Sequence, residues 1–383
     1  MPDTRGIFTF KKIYNLKVTD NGIPLDEVWI SPSPFLTSTP NTGYFGGGIT
    51  PAVTATMDKV TYSTDTTVAV PGANLTGGRR YIAATGNNNN GYFGGGGTPS
   101  AVSIMDKVNY VTETTLRSPS ANLTAVRFSH GATGNSTNGY FGGGTPTTAT
   151  MDKVTYSTDT TAAVPGADLS VAHYALAATG NSTNGYFGGG IPSSQLVDKV
   201  TYSTDTTGAL PSSANLSVAR YYVSATGNST NGYFGGGFPT TATMDKVTYS
   251  TDTTAAAPSA DLSVARYVHA ATGNSTNGYF GGGNPGPVAT MDKVTYSTDT
   301  AAAVPGADLS LARRALAATG NNTNGYFGGG RVPAPRATMD KVTYSTDTTA
   351  AAPGADLSIG RYYLAASSAS LPSTTISPTP VYL

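Results

Sequence analysis

The sequence predicts an all-β chain folded as a seven-bladed β-propeller, and three observations carry that prediction. The phrase Tyr-Phe-Gly-Gly-Gly recurs at Tyr44, Tyr92, Tyr140, Tyr186, Tyr233, Tyr279 and Tyr326, at intervals of 48, 48, 46, 47, 46 and 47 residues. Asp-Lys-Val follows in step at Asp58, Asp106, Asp152, Asp198, Asp245, Asp292 and Asp340. Self-similarity at a period of this size marks one structural unit copied and stacked. The repeat is also split between the ends of the chain. The first copy begins at Tyr44 without the strand that precedes the phrase elsewhere, and residues 361–367 supply that strand without the turn that should follow it. A C-terminal strand that completes the blade begun by Tyr44 closes the ring and leaves no free edge between its ends. An open solenoid has no reason to divide a unit in this way.

The copy at residues 173–219 shows the elements in order. His173-Tyr174-Ala175-Leu176-Ala177-Ala178-Thr179 reads as a first strand, ended by the polar turn Gly180-Asn181-Ser182-Thr183-Asn184-Gly185. Tyr186-Phe187-Gly188-Gly189-Gly190 is the second, and a variable loop containing Pro192 leads to the third, Asp198-Lys199-Val200-Thr201-Tyr202-Ser203. Thr204-Asp205-Thr206-Thr207 supplies a turn, and Gly208-Ala209-Leu210 is a brief fourth strand before Pro211. No copy keeps a helical apolar period, and short strands joined by turns are the pattern of a propeller blade. Adjacent Tyr and Phe point to opposite faces of a strand, so both are buried only where neighbouring blades cover both faces. The glycines beside them let strands approach closely near a narrow central axis. The competing architecture is a β-solenoid or trimeric fibre, which has shorter rungs and need not close.

Residues 1–40 match no repeat. The stretch from Lys12 to Val18 alternates weakly, and Thr19-Asp20-Asn21-Gly22 places an Asn-Gly turn before residues 23–30, the signature of a β-hairpin. The chain therefore divides into an N-terminal attachment segment at 1–40, the propeller at 41–370, and an extended Pro/Ser/Thr-rich tail at 371–383.

Composition excludes several functions. Lys+Arg and Asp+Glu balance at 22 each, and only 11% of residues are charged. Such a surface has no field to draw a phosphate backbone or an acidic membrane. There is no cysteine, which removes disulfides, thiolate metal sites and a Cys nucleophile. The start lacks the apolar core of a leader peptide, and no run approaches the roughly 18 apolar residues of a membrane span. The reading is a soluble protein made in a cytoplasm.

The copies act as their own control on what the scaffold fixes. Gly-Asn-Ser-Thr-Asn-Gly and Ser-Thr-Asp-Thr-Thr scarcely change among the central copies, whereas the loops at 49–56, 97–104, 191–197, 238–243, 284–290 and 331–338 do. So do the two positions after a repeated Arg. In an antiparallel blade the variable loop and the start of strand one fall on one face, and the unchanging turns fall on the other. Arg80, Tyr81, Phe128, Tyr174, Tyr221, Tyr222, Phe238, Tyr267, Arg314, Arg331, Arg336 and Tyr362 are the candidate ligand or partner face. Aromatic and Arg side chains are enriched in binding hot spots and suit the faces and hydroxyls of sugars. The repeated Arg79, Arg127, Arg220, Arg266, Arg313 and Arg361, with His173 in the remaining copy, are read instead as ties between neighbouring blades.

Nothing in the sequence assembles a catalytic site. His130, His173 and His269 are taken to occupy different columns of the repeat and to form no ring. No His-Glu-x-x-His motif or Gly-x-Ser-x-Gly elbow occurs, and Gly-Gly-Gly lacks the Lys-Ser/Thr of a phosphate loop. Aspartates recur in three columns, as at Asp152, Asp159 and Asp168; the last two are assigned to turns, and each Asp-Lys pair is taken to neutralise itself. No metal, no cofactor and no enzymatic activity are expected.

Two resemblances follow from these residues. Arg220, the Gly235-Gly236 pair and Tyr249, with their counterparts, resemble the kelch repeat, although Ala255-Ala256-Ala257 stands where that family carries a Trp. The resemblance covers about residues 43–367 and implies a propeller used for binding more than for catalysis. The regular Gly-Tyr-Phe-Gly-Gly-Gly and Asp-Lys-Val-Thr-Tyr-Ser phrases, with the opening Arg5-Gly6-Ile7-Phe8 through Glu27-Val28-Trp29, also look like those of structural proteins of tailed bacteriophages, particularly phages of marine cyanobacteria. That resemblance implies a tail- or fibre-type virion component, oligomeric in the particle. It would be attached to other virion proteins through residues 1–40, with Phe8, Tyr14 and Trp29 as attachment residues, and would face a host-surface glycan. A capsid or neck decoration protein and a free-standing bacterial kelch-like binding module are the alternatives.

Overall fold

Turn-forming Gly, Asn, Asp and Thr interrupt the chain so often that no strand exceeds five residues. The computed structural model describes residues 41–369; the expected hairpin, the attachment residues Phe8, Tyr14 and Trp29, and the tail lie outside the described residues. Seven four-stranded antiparallel sheets form there. In blade 4, Ala177–Gly180, Asn184–Gly188, Val197–Thr201 and Thr206–Ala209 lie side by side in that order. Blades 2, 3, 5, 6 and 7 repeat the plan from Ala83, Gly131, Ser224, Ala270 and Ala317. Blade 1 consists of Thr42–Gly46, Met57–Thr61 and Thr66–Ala69, and takes its innermost strand, Ala365–Ser368, from the far end of the chain. Tyr44 pairs with Ser367 and Phe45 with Ala366 in that junction. The innermost strands touch in an unbroken circle, the closing strand contacting those of blades 7 and 2. The protein is a seven-bladed β-propeller closed as its split repeat indicates.

Strand limits differ from those the sequence suggests, for a reason that lies between blades. The first strand of blade 4 begins at Ala177 rather than His173 because Ala175 takes a left-handed φ of 58°. The second ends at Gly188, since Gly189 and Gly190 have φ of 74° and 119°. A Cβ on Gly189 would stand 2.6 Å from the carbonyl oxygen of Arg220, so the chain leading to the next blade passes where a side chain would be. These glycines thus serve the inter-blade connection. The axis is lined instead by the small residues of the innermost strands, Ala-Ala-Thr-Gly in most blades.

The apolar core is divided into seams, each between two blades. Phe187 of blade 4 packs with Tyr140 and Met151 of blade 3, whereas Tyr186 faces the other way, against Val223 and Phe234 of blade 5. Each seam carries one stacked tyrosine pair, Tyr186 on Tyr249 for example, with ring centroids 4.7 to 5.0 Å apart. Such a pair adds about 0.5–1.5 kcal/mol beyond area burial. The Tyr186 hydroxyl donates to Asp252 in the next blade at 2.6 Å, and Lys199 donates to the other oxygen of that carboxylate, also at 2.6 Å. Asp-Lys neighbours in strand three therefore do not neutralise each other, and the turn aspartate serves the adjacent blade rather than its own backbone. At smaller radius Tyr249 bonds Thr179 at 3.0 Å, and at the outer edge Thr207 donates to the carbonyl of Ala167 at 2.5 Å. The closing seam is built like the rest: Tyr62 stacks on Tyr326, and Asp65 accepts from both Tyr326 and Lys341.

A chain ending at Gly360 loses the innermost strand of blade 1. It is expected to lose the cooperative thermal transition followed by near-ultraviolet circular dichroism, with partial recovery when a peptide of residues 361–383 is added. A wild-type melting temperature in the truncated chain would show that closure is dispensable.

Candidate binding face

The repeated arginine holds the loop face in place. In each repeat its backbone carbonyl, or that of His173 in blade 4, accepts a hydrogen bond from the third glycine of the preceding Gly-Gly-Gly, as Gly237 donates to Arg266 at 2.8 Å. The Arg266 guanidinium turns into the following blade, donating to the Phe280 carbonyl at 2.9 Å and to Asp292 at 2.5 Å, and both ion-pair side chains are fully buried. Equivalent pairs join Arg79 to Asp106, Arg127 to Asp152, Arg220 to Asp245, Arg313 to Asp340 and Arg361 to Asp58. Burial pulls each guanidinium below its usual value while the neighbouring carboxylate acts to raise it. Blade 4 is the exception. His173 replaces the arginine, and the buried Asp198 retains Ser170 but has one oxygen unpaired, so desolvation pushes its carboxyl up.

The residue after the arginine forms an antiparallel bridge to the first residue of the variable loop. Arg80 thus faces Gly97, Phe128 faces Thr145, Tyr174 faces Ile191, Tyr221 faces Phe238, Tyr267 faces Asn284, Arg314 faces Arg331 and Tyr362 faces Ile49. This pairing puts the variable position and the variable loop on one face. The next residue along closes a circle of backbone hydrogen bonds around the axis. Tyr81 donates to Tyr363, Tyr363 to Ala315, Ala315 to Val268, Val268 to Tyr222, Tyr222 to Ala175, Ala175 to Ser129 and Ser129 to Tyr81, at 2.8 to 3.5 Å. All have φ between 56° and 59°. A β-branched or aromatic residue there is strained, by roughly 1–3 kcal/mol, and persists only where its surroundings over-determine it.

The candidate residues gather into two aromatic patches. In the first, Tyr221, Tyr222, Phe238 and Tyr267 lie with ring centroids 4.8 to 6.3 Å apart, and Phe238 is 37% exposed. In the second, Tyr81 contacts Phe128 and Tyr363, Tyr363 contacts Tyr362, and Arg80 and Arg331 sit over the rings of Tyr81 and Tyr362 at 5.1 and 4.9 Å. Tyr174 stands on the same face, in no described ring contact with either patch. Arg336 is placed differently: its Nε and Nη2 both donate to the Val332 carbonyl, clamping the short hairpin Arg331–Val332/Ala334–Pro335. Between blades 6 and 7 a cleft of about 710 Å³ opens on this face, lined by Asn284, Pro287, Arg314, Arg331, Val332 and Pro333.

The opposite face is saturated by its own bonds. Asn181 accepts from the backbone of Thr183 and Asn184 and donates to the Ser229 carbonyl in the next blade at 3.2 Å, and the corresponding asparagines repeat this. Two features of the structure go beyond what the repeat pattern announces. Val126, Val171, Val218, Val264 and Ile359 are 38 to 50% exposed on the connections leading into the arginines, adding aliphatic surface to the loop face. An apolar residue recurring one or two places before Arg in a polar connection is the signal that marks them. His130 and His269 also share one column, where other copies hold Ile82, Leu176, Val223, Leu316 and Leu364. Both are buried against phenylalanines, and burial, then the nearby arginine, drives them well below the usual histidine value.

No protein-family model matches the chain, and no curated protein matches it. The fold and this face are consistent with a binding or contact module.

The buried groups set the response to substitution and to pH. Asp245→Asn leaves a buried guanidinium unpaired and is expected to cost about 3–5 kcal/mol in urea unfolding. Asp198→Asn should be near neutral, and His173→Arg should stabilise blade 4 by about 1.5–3 kcal/mol; equal costs for the two asparagine variants would refute the distinction. For His130 and His269 the folded value lies below the unfolded ~6.5, so the unfolded chain binds protons first. Their contribution is present above that pH and is lost as pH falls toward the depressed folded values. Unfolding at pH 7 and pH 5 should therefore show a smaller acid-side loss for His130→Leu/His269→Leu than for wild type.

Proposed function

We propose that the protein is a non-enzymatic structural and adhesive component of a tailed-phage particle. In this reading it is held through residues 1–40 and presents its loop face to a host-surface glycan or a neighbouring virion protein. The observation that carries the binding role is the gathering of half-buried aromatic rings on the loop face, with arginines stacked over two of them, while the other face is occupied by its own hydrogen bonds. Flat aromatic faces offer contact area at low entropic cost, and arginine supplies directed donors. Engagement of the ionisable side chains supports a non-enzymatic role: six strand-three aspartates pair with buried arginines, the turn carboxylates pair with lysines, and His130 and His269 are buried against phenylalanine rings. The virion setting rests on the phage-like repeats and lead segment.

Replacing Tyr221, Phe238 and Tyr267 together by Ala is expected to reduce adsorption of particles or purified protein to host cells at least about tenfold, with the melting temperature within a few degrees of wild type. Unchanged adsorption would leave these rings as seam covers. Deleting residues 1–40 should give particles lacking the protein while the propeller still folds; unchanged incorporation would refute the anchor and favour a free-standing module.

A further inference from the structure

The cleft between blades 6 and 7 is where the pseudo-sevenfold pattern breaks furthest. Blade 6 alone carries Asn at the start of its variable loop, followed by Gly286 at a φ of 63°, and blade 7 alone folds its loop into a clamped hairpin. Arg314 and Arg331 are direct cross-strand partners, exchanging backbone bonds at 3.4 and 2.9 Å. Residues so paired send their side chains to the same side of the ladder, and like charges in that relation repel. Neither guanidinium has a carboxylate partner among the described residues, whose ion pairs all lie in the buried arginine column or the lysine–turn column. Asn284 adds a second observation. It lines the cleft, is only 4% exposed, and its side-chain amide makes no hydrogen bond among the described residues.

We propose that this cleft binds an acidic saccharide, a sugar ring carrying a carboxylate or sulfate; the saccharide identity rests on the adhesive reading above. The anion sits between Arg314 and Arg331, which repel each other without it and offer fork-shaped donors to planar or tetrahedral oxyanions. The Asn284 amide takes a ring hydroxyl, where both its donor and acceptor are used. Pro287, Val332 and Pro333 provide apolar wall against the sugar's C–H face, and the volume lies in the range of small-ligand sites. Arg336 is a positioning residue: through the Val332 carbonyl it fixes the hairpin from which Arg331 projects.

The test is titration calorimetry of the full chain with three disaccharides of one backbone, bearing a uronic acid, a sulfate ester or neither, and with inorganic sulfate. The acidic sugars should bind at least about tenfold more tightly than the neutral one, and the carboxylate and sulfate forms separate the two sources of charge. Arg314→Gln/Arg331→Gln should abolish that preference and Asn284→Ala should weaken both acidic sugars several-fold. In the absence of ligand, Arg314→Gln alone should raise the melting temperature, because it relieves repulsion; a fall would make the pair structural and overturn the proposal. Equal binding of neutral and acidic sugars, or binding of inorganic sulfate only, would also overturn it. If no saccharide binds while the Tyr221/Phe238/Tyr267 variant still loses adsorption, the cleft assignment fails and the adhesive reading stands. Tight acidic-sugar binding with adsorption unchanged in that variant would uphold the cleft and remove the aromatic patch from the adhesive reading.

Discussion

Six of the seven repeats turn on one buried arginine that belongs to two blades at once. Its carbonyl is gripped by a glycine of the blade behind, and its guanidinium is sunk into the sheet ahead. Burying a guanidinium is expensive, and the expense is met only because a carboxylate and a backbone carbonyl wait at fixed positions. The same grip sets the left-handed glycines, the bridge to the variable loop and the circle of bonds around the axis. Geometry at the loop face is therefore decided in the interior. Blade 4 shows how far this can be relaxed: with His173 in place the carbonyl bond survives, the guanidinium contacts are lost, and Asp198 is left partly unpaired.

Division of the core into seams has a mechanical consequence. A blade has no core of its own and gains its burial only by facing two neighbours, so stability is close to a sum of nearest-neighbour terms. Closing the circle adds one more seam than an open array of the same blades would have. That seam repeats the stacked tyrosines and the Tyr–Asp–Lys contact of the others. A strand from one end of the chain thus supplies burial for blades at both ends.

Blade number, ring closure and the burial of adjacent Tyr and Phe were legible because they follow from periodicity and from the two-faced geometry of a strand. Strand ends were not, because Ala175 and Gly190 obey hydrogen bonds to another repeat that no local pattern announces. The partner of Lys199 was hidden for the same reason: adjacent Asp198 points to the opposite side of the strand, and the true partner, Asp252, lies one blade and 53 residues away. Of the candidate face, the columns after the arginine were readable from variation between copies. Arg336 looked equivalent to Arg331, yet it clamps Val332 within a hairpin that, among the described loops, only blade 7 extends to two paired positions. The cleft could not be read at all, since its walls come from two repeats.

A scaffold of near-identical blades creates a difficulty for recognition that its own construction resolves. Identical repeats would present the same weak contact around the ring, which favours repetitive surfaces and discriminates poorly between ligands. Specificity has to come from differences between affinities, and therefore from places where the symmetry is broken. Here the interior tolerates little change, because each Arg, Gly and Tyr is tied to a neighbour. The loop after Gly-Gly-Gly is free to vary, since its first residue is registered by backbone bonds that any side chain permits. Tyr221 with Phe238 and Arg314 with Arg331 are the same structural pair written in different chemistry, one apolar and one cationic. The ring can thus place unlike contacts at fixed spacings on a rigid base, and the information it displays resides in the order of its loops.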